Sequence, residues 1–275
     1  MKRKTQAAEN REKLVSVIIP AYKAEKTIEK SLIKTKKVLD AIRYNYEIIC
    51  IDDGNTDKTR VNAEKVAKKF PDKIKIVGYL TNLGKGHAVR FGMAQAEGDI
   101  IGFIDAGLDV DPNGISMLLE HFEWYGADII IGSKRHPASK LEYSWQRKIV
   151  SIGYQILVRT LFGVKVRDTQ VGLKFFKREV LEKVLPRILV KEFAFDIEIL
   201  SVAYYLGFKR IFEAPVELKM EFGGSTIISK GFIRTVFKTL WDTVAVYYRL
   251  RILHYYDDKN NKNWITPDYL TLKSK

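Results

Sequence analysis

A mostly parallel α/β sheet flanked by helices is the architecture this sequence predicts, and three observations predict it. From Leu14 onward, apolar runs of strand length alternate with amphipathic stretches of helical period. That βαβα rhythm implies parallel strands joined by crossover helices. Two of the runs end in acids, Asp52-Asp53-Gly54-Asn55-Thr56-Asp57 and Asp105-Ala106-Gly107-Leu108-Asp109-Val110-Asp111, and strand ends are where open α/β sheets bind ligands.

In chain order, residues 1–12 are polar and read as a mobile arm. Strand Val15 to Pro20 is followed by a helix from about Glu25 to Tyr44, strand Glu47 to Ile51 and a helix from about Asp57 to Phe70. Next come strand Ile74 to Leu80, a helix opening at Gly84 to Gly86, strand Ile100 to Ile104, a helix from about Asn113 to Trp124 and strand Asp128 to Gly132. Residues 13–132 thus read as a nucleotide-binding half. A second half, 133–225, completes one domain with a weakly charged helix over Ile149 to Phe162, short strands near Gly172 to Phe176 and Arg210 to Met220, and a helix from about Phe195 to Leu206. Residues 226–256 form a C-terminal amphipathic helix with Ile233, Phe237, Leu240, Val244 and Tyr247 on one stripe and Lys230, Arg234 and Lys238 on another. Residues 257–275 read as a polar tail.

The chain has 275 residues, ample for a buried core, and a formal net charge of +14, which favours anionic partners: nucleic acid, a membrane surface or phosphorylated substrates. The lone Cys50 lies in an apolar run and excludes a disulfide framework. No charged segment followed by a signal-like apolar region occurs, nor any run of eighteen apolar residues, so the expected membrane contact is one-sided.

Acids gathered at a sheet edge repel one another unless a cation joins them. A hard divalent ion, Mg²⁺ or Mn²⁺, carrying a nucleotide diphosphate answers that repulsion. Asp105 emerges directly from its strand with Asp109 four residues on, close enough for a turn to bring both to one ion. Asp111 and Asp57 instead suit capping of the helices that follow them. Asp52 and Asp53 cannot both be caps, and a carboxylate there suits a base imide or a ribose diol. Asn82-Leu83-Gly84-Lys85-Gly86 lacks the spacing of an ATPase loop and the third glycine of a dinucleotide fingerprint. It remains a glycine-rich helix entry whose N–H groups and lysine can approach a diphosphate. Arg147 and Ser151 lie one helical turn apart and, with Lys134, Arg135 and Lys148, outline either an anion pocket or a solvated basic face. Asp196 and Glu198, between phenylalanines, are costly unless paired or functional. The four histidines are too scattered for a zinc site.

Together, Val17 to Glu25, Asp52 to Asp57, Asn82 to Gly86 with Ala88-Val89-Arg90, Asp168-Thr169-Gln170-Val171-Gly172-Leu173-Lys174 and Phe195-Asp196-Ile197-Glu198 resemble the inverting GT-A glycosyltransferases of the family 2 type. Among these they look most like the dolichyl-phosphate glucose synthases, with the mannose synthases next. The resemblance implies a GT-A fold over Val15 to Arg251 and transfer of glucose from UDP-glucose to dolichyl phosphate at the cytoplasmic face of a membrane, where the protein is peripheral. It implies that Pro20, Tyr22, Glu25, Asp52 and Asp53 hold uridine, that Lys85 approaches the donor, and that Asp105 with Asp109 holds Mg²⁺ or Mn²⁺. Asp105, Asp168 and Asp196 would be the catalytic acids, and Gln170 and Glu198 would position sugar or acceptor. Lys134, Arg135, Arg147 and Ser151 would hold the acceptor phosphate. One departure stands out: where the family carries Asp-x-Asp, Gly107 replaces the second acid, and Asp109 is the proposed substitute. Competing expectations keep the fold with a GDP-mannose donor or a glycan acceptor, or make the chain a polyanion-binding or non-catalytic scaffold protein. Nucleic acid is disfavoured because unmetallated acids at a binding face repel phosphates.

Overall fold

Strand β1 (Leu14–Ala21) pairs in parallel with β2 (Asn45–Asp53) on one side and with β4 (Ile100–Ile104) on the other, so the two acid-bearing strands flank it and do not touch each other. The computed structural model describes residues 13–54, 56–133, 145–192, 194–217 and 230–272, with backbone alone over 145–151 and 230–236. The arm at 1–12, Lys134, Arg135 and the boundary near 225 lie outside the described residues. Adding β3 (Ile74–Tyr79), β5 (Ile129–Ser133), β6 (Leu173–Lys177) and β7 (Ile211–Pro215) gives a seven-stranded sheet in the order β3-β2-β1-β4-β6-β5-β7. Only β6 runs antiparallel to its neighbours, wedged between β4 and β5. It therefore begins at the edge where β4 ends, with Leu173 opposite Ile104.

Both faces of the sheet are covered, which is why β1 and β2 are nearly continuous apolar runs. One core layer joins Val17, Ile19, Ile48 and Cys50 to α1 (Ile28–Leu39), α2 (Thr59–Ala67) and α4 (Gly114–Trp124). The other joins Ile18, Ile49 and Ile51 to α3 (Lys85–Ala94), α5 (Trp145–Phe162), α6 (Arg178–Val184), α7 (Phe195–Tyr205) and α8 (Lys230–Arg251). Cys50 is fully buried, and burial together with nearby Asp52 pushes its thiol up to about 12, which fits a packing role.

Several segments differ from the sequence expectation, among them helix α6, which it did not include. Helix α1 starts three residues later than Glu25, because residues 24–25 are bonded across to the next loop: Ala24 N–H to Thr59 Oγ1 (2.8 Å) and Lys58 N–H to Glu25 Oε2 (3.3 Å). Strand β7 stops at Pro215, whose ring removes a ladder donor. Beyond α8 the described part of the polar tail, residues 257–272, packs on the body. Arg187 pairs with Asp258 (2.5 Å) and stacks 4.3 Å from the Trp264 ring, Thr266 Oγ1 bridges Arg90 and the Pro186 carbonyl (both 2.6 Å), and Leu270 is buried.

Candidate functional site

Four charged side chains meet where β4 ends and β6 begins. Lys85, first residue of α3, places its ammonium 2.7 and 2.9 Å from the two Asp105 oxygens. Lys174 on β6, fully buried, donates to Asp196 Oδ1 and to the Val171 carbonyl, each at 2.5 Å. Both ammonium groups lie near the Phe103 ring, at 5.6 Å and 5.2 Å from its centre. Burial works against both charges, but their outcomes differ: Asp105 and Asp196 outweigh it and hold Lys85 above the usual lysine range, whereas Lys174 is held below it despite Asp196. Asp168 also acts electrostatically on Lys174, while its backbone N–H and that of Arg167 are pinned to Glu213 Oε1 at 3.0 and 2.9 Å.

The site depends on two missing side chains. A Cβ on Gly172 would fall 1.9 Å from Asp105 Oδ2, so the Asp105 carboxylate occupies the space that this glycine leaves. A Cβ on Gly107 would lie 3.2 Å from Asp109 Oδ2. Leu108 between them takes a left-handed backbone (φ 62°), rare for a branched residue, and the turn brings the Asp109 carboxylate beside the position where residue 107 would carry its own. Asp105 and Asp109 are thus carboxylate donors of the kind a hard divalent cation takes. No cluster of three or more His, Cys, Asp or Glu suited to a metal occurs among the described residues. Mg²⁺ and Mn²⁺ are the ions for which two carboxylates suffice, phosphate oxygens and water completing the shell. Asp111 instead accepts the Asn113 N–H at 3.0 Å, two residues ahead of the N-cap of α4, which is Asn113 itself.

On the other side of β1, Ala21 is in register with Asp52, and Tyr22 is exposed beyond the strand. Pro20, Tyr22, Glu25, Asp52 and Asp53 thus lie at or just beyond the carboxyl ends of β1 and β2. Asp53 itself is turned inward. Its oxygens accept from Leu83 N–H (2.8 Å), Gly84 N–H (3.2 Å) and the Asn82 amide (3.0 Å), which fixes the loop that presents Lys85. We therefore correct its expected uridine contact to a loop-positioning role. Asp57, one residue ahead of the N-cap Lys58, accepts the Thr59 N–H at 2.9 Å at the start of α2.

Two further expectations change. Glu198 is fully buried and both oxygens are taken by the scaffold: Leu189 and Val190 N–H (3.0 and 2.7 Å), Tyr256 O–H (2.7 Å) and Arg249 (3.2 Å). It braces the 188–191 segment against α8 and has no oxygen for sugar or acceptor. Asp196, almost wholly buried against Lys174, contributes through that ion pair and not as a free carboxylate. Gln170 is exposed near Asp168, and Arg147 and Ser151 share helix α5, their side chains outside the described residues. Sequence reasoning missed Lys174, Gly172 and Asn82 as working residues. The signal for Lys174 was present: a lysine between Leu173 and Phe175-Phe176 must be buried and needs a counter-ion.

Helix α8 turns Thr243, Val246 and Leu250 inward and leaves Phe237, Trp241, Val244 and Tyr248 exposed. Ile152 and Ile156 are exposed on α5, which is bonded to α8 through the hydroxyls of Tyr154 and Thr243 at 2.8 Å. Among the described residues no helix is long and apolar enough to cross a membrane.

Comparison with known proteins agrees with this layout. The model of glycosyl transferase family 2 matches residues 16–185. A dolichyl-phosphate beta-glucosyltransferase of Dictyostelium discoideum is 31% identical over 205 residues, 70% of this chain and 63% of that protein. Another, from Trichomonas vaginalis, is 31% identical over 246 residues, 86% of this chain and 74% of its own. The match therefore spans somewhat less than two thirds of the first relative's length. Among solved structures, glucosyl-3-phosphoglycerate synthase from Mycobacterium tuberculosis in complex with UDP superposes with a TM-score of 0.65 at 19% identity, covering 90% of this chain and 84% of that one. The same enzyme has been crystallised with Mn²⁺ and UDP-glucose. With the family model running from β1 to the end of α6 and the sheet superposing on that of a GT-A enzyme, the chain belongs to glycosyl transferase family 2.

Proposed function

We propose that the chain is an inverting hexosyltransferase that moves glucose from UDP-glucose to a polyprenyl phosphate of the dolichyl type. The observation that carries this reading is the Lys85 ammonium against Asp105 where β4 ends and α3 begins, with the Asp109 carboxylate turned back beside Gly107: acids for a cation and one ammonium for a diphosphate, on one sheet edge. The names of the relatives supply the acceptor and the sugar.

Pro20, Tyr22, Glu25 and Asp52 receive the uridine, in a cleft held in shape by Asp53. Lys85 meets the diphosphate, and Asp105 with Asp109 holds Mg²⁺ or Mn²⁺. When bound, that ion neutralises the charge that develops on the departing UDP. Arg147 and Ser151, with Lys134 or Arg135, hold the acceptor phosphate. A phosphate oxygen attacks the anomeric carbon as the bond to the UDP oxygen breaks, and the electron pair leaves with UDP. Inversion of an α-linked donor yields the β product. A phosphomonoester with a second pKa of about 6 is already largely ionised near neutral pH, so no strong general base is required. Asp168 orients sugar or acceptor, and the Lys174–Asp196 pair fixes the charge around it.

The exposed stripe of α8 supports docking on a membrane surface from its cytoplasmic side, where a polyprenyl tail stays in lipid while its phosphate reaches the site. The test is to incubate purified protein and Mg²⁺ with dolichyl phosphate in detergent and, separately, UDP-glucose, UDP-N-acetylglucosamine and GDP-mannose. A hexosyl-phosphate lipid from UDP-glucose alone, seen by mass spectrometry, is the expected result. UDP release with no lipid product would remove the acceptor assignment. Sedimentation with phosphatidylserine vesicles, lost on replacing Phe237 and Trp241 by alanine, tests the docking face; equal binding by that variant would sink it.

A further inference from the structure

Both oxygens of the Asp105 carboxylate face the ammonium of Lys85, so a cation that binds there competes with a charge already in place. A divalent ion approaching them meets a like charge at hydrogen-bond distance from its ligands. We propose that Lys85 is a placeholder cation: it occupies Asp105 in the nucleotide-free protein and passes to the diphosphate when the donor arrives, so that metal and nucleotide load as one unit. The inference deepens the reading above and rests on its metal-dependent donor site.

Three observations carry it. First, of the two ammonium groups beside Phe103 only one is free to move. Lys174 is fully buried and tied at 2.5 Å to both Asp196 and the Val171 carbonyl. The Lys85 side chain keeps 20% of its surface exposed and bonds to Asp105 alone among the described contacts. Second, the backbone that carries Lys85 is fixed, so a swing of the four-carbon stem is the available motion. Asp53 holds the Leu83 and Gly84 N–H groups, and the Lys191 carbonyl accepts the His87 N–H at 3.1 Å. Third, the charges favour joint loading. Lys85, Lys174, Asp105 and Asp196 cancel. A dication alone adds uncompensated positive charge beside two ammonium groups, and a diphosphate alone adds uncompensated negative charge beside Asp105. The two together restore the balance of these four groups, with Lys85 moving from carboxylate to phosphate.

Mn²⁺ binding followed by the electron paramagnetic resonance signal of the free ion tests this without turnover. The native chain should bind Mn²⁺ weakly alone and much better with UDP. Lys85→Met should raise the nucleotide-free affinity by about fivefold or more, the lower end of typical coupling between two sites, and by linkage shrink the UDP enhancement by the same factor. Lys85→Arg, which keeps the charge, should stay near the native value. Lys85→Gln repeats the neutral test should the methionine variant misfold. If the neutral variants bind Mn²⁺ no better than native while UDP still enhances binding, the placeholder role is wrong and the donor site stands. If UDP enhances Mn²⁺ binding in none of the proteins, or does so undiminished in Asp105→Asn, the metal site itself is misassigned and both readings fall.

Discussion

Asp53 and Asp105 each sit at the carboxyl edge beside β1, one on either side, yet the structure uses them in opposite ways. Asp53 is buried and holds backbone N–H groups, contacts that a ligand cannot replace without breaking the loop. Asp105 is a third exposed in its side chain and bonds a lysine that can leave. The difference teaches that an acid at a strand end is read by its donors: fixed amides mark a positioning group, and a mobile ammonium marks an exchangeable ligand.

Substitution of Asp105 should have the largest effect on activity. Asp105→Asn is expected to cut hexosyl transfer by about 10²–10³-fold, the scale of losing one preorganised charge-stabilising group. Asp53→Asn should cost more in folding than this variant, because the Asp105 carboxylate bonds one partly exposed ammonium and, among the described residues, no backbone N–H group. Full activity in this variant would break the comparison at its root. Next comes Gly172→Ala, whose new Cβ must push the Asp105 carboxylate aside. Misplacing a reacting-site group by about 1 Å can cost roughly 10²-fold, and a rate loss near that size should appear in single-turnover assays. An alanine variant with native kinetics would show that Asp105 has freedom to spare.

Asp53→Asn should reverse the pattern. Its amide would set an N–H group against the loop donors, leaving one or more unsatisfied at a cost of about 1–3 kcal/mol. The urea midpoint should fall, and donor affinity should fall with the order of the 82–84 loop. A variant of native stability that still lost UDP binding would restore Asp53 to the uridine contact expected from the sequence.

How far the sequence discloses this contrast depends on the range of the contacts. Strand ends and the turns in which Asp57 and Asp111 accept an N–H are local, set by periodicity and by donors two residues away, and they were legible. The closeness of Asp109 to the empty side-chain position of Gly107 is also local, because both lie in one turn. The inward turn of Asp53 depends on a loop about thirty residues on. Glu198 finds Arg249 and Tyr256 more than fifty residues away, so its brace could not be told from a site acid. The antiparallel insertion of β6 likewise follows from long-range pairing, and it is what brings Gly172 and Lys174 to the site. The 257–272 segment looked solvated because its anchors, Trp264, Thr266 and Leu270, are spread among polar residues.

The smallest expected effect concerns pH and separates the two acids again. His87 lies on the Asp53 side, its ring edge-on to Tyr79 at 5.3 Å, and burial, with Lys191 and Arg90 nearby, holds its pKa below the ordinary 6.5. The unfolded chain therefore takes up a proton near pH 6.5 that the folded one refuses. Stability is unaffected above that value and declines as pH falls below it, until the folded imidazole is protonated too. Carboxylates held low by their partners, such as Asp128 with Arg210 and Lys177, act in a separate window below 3.8. Urea midpoints between pH 5 and 7 should thus flatten in His87→Gln, whereas Asp105→Asn should keep the native slope. A slope in His87→Gln equal to native would assign the acid sensitivity elsewhere; a slope lost in Asp105→Asn instead would mean that the exchangeable acid, not the positioning one, governs how this edge of the sheet responds to protons.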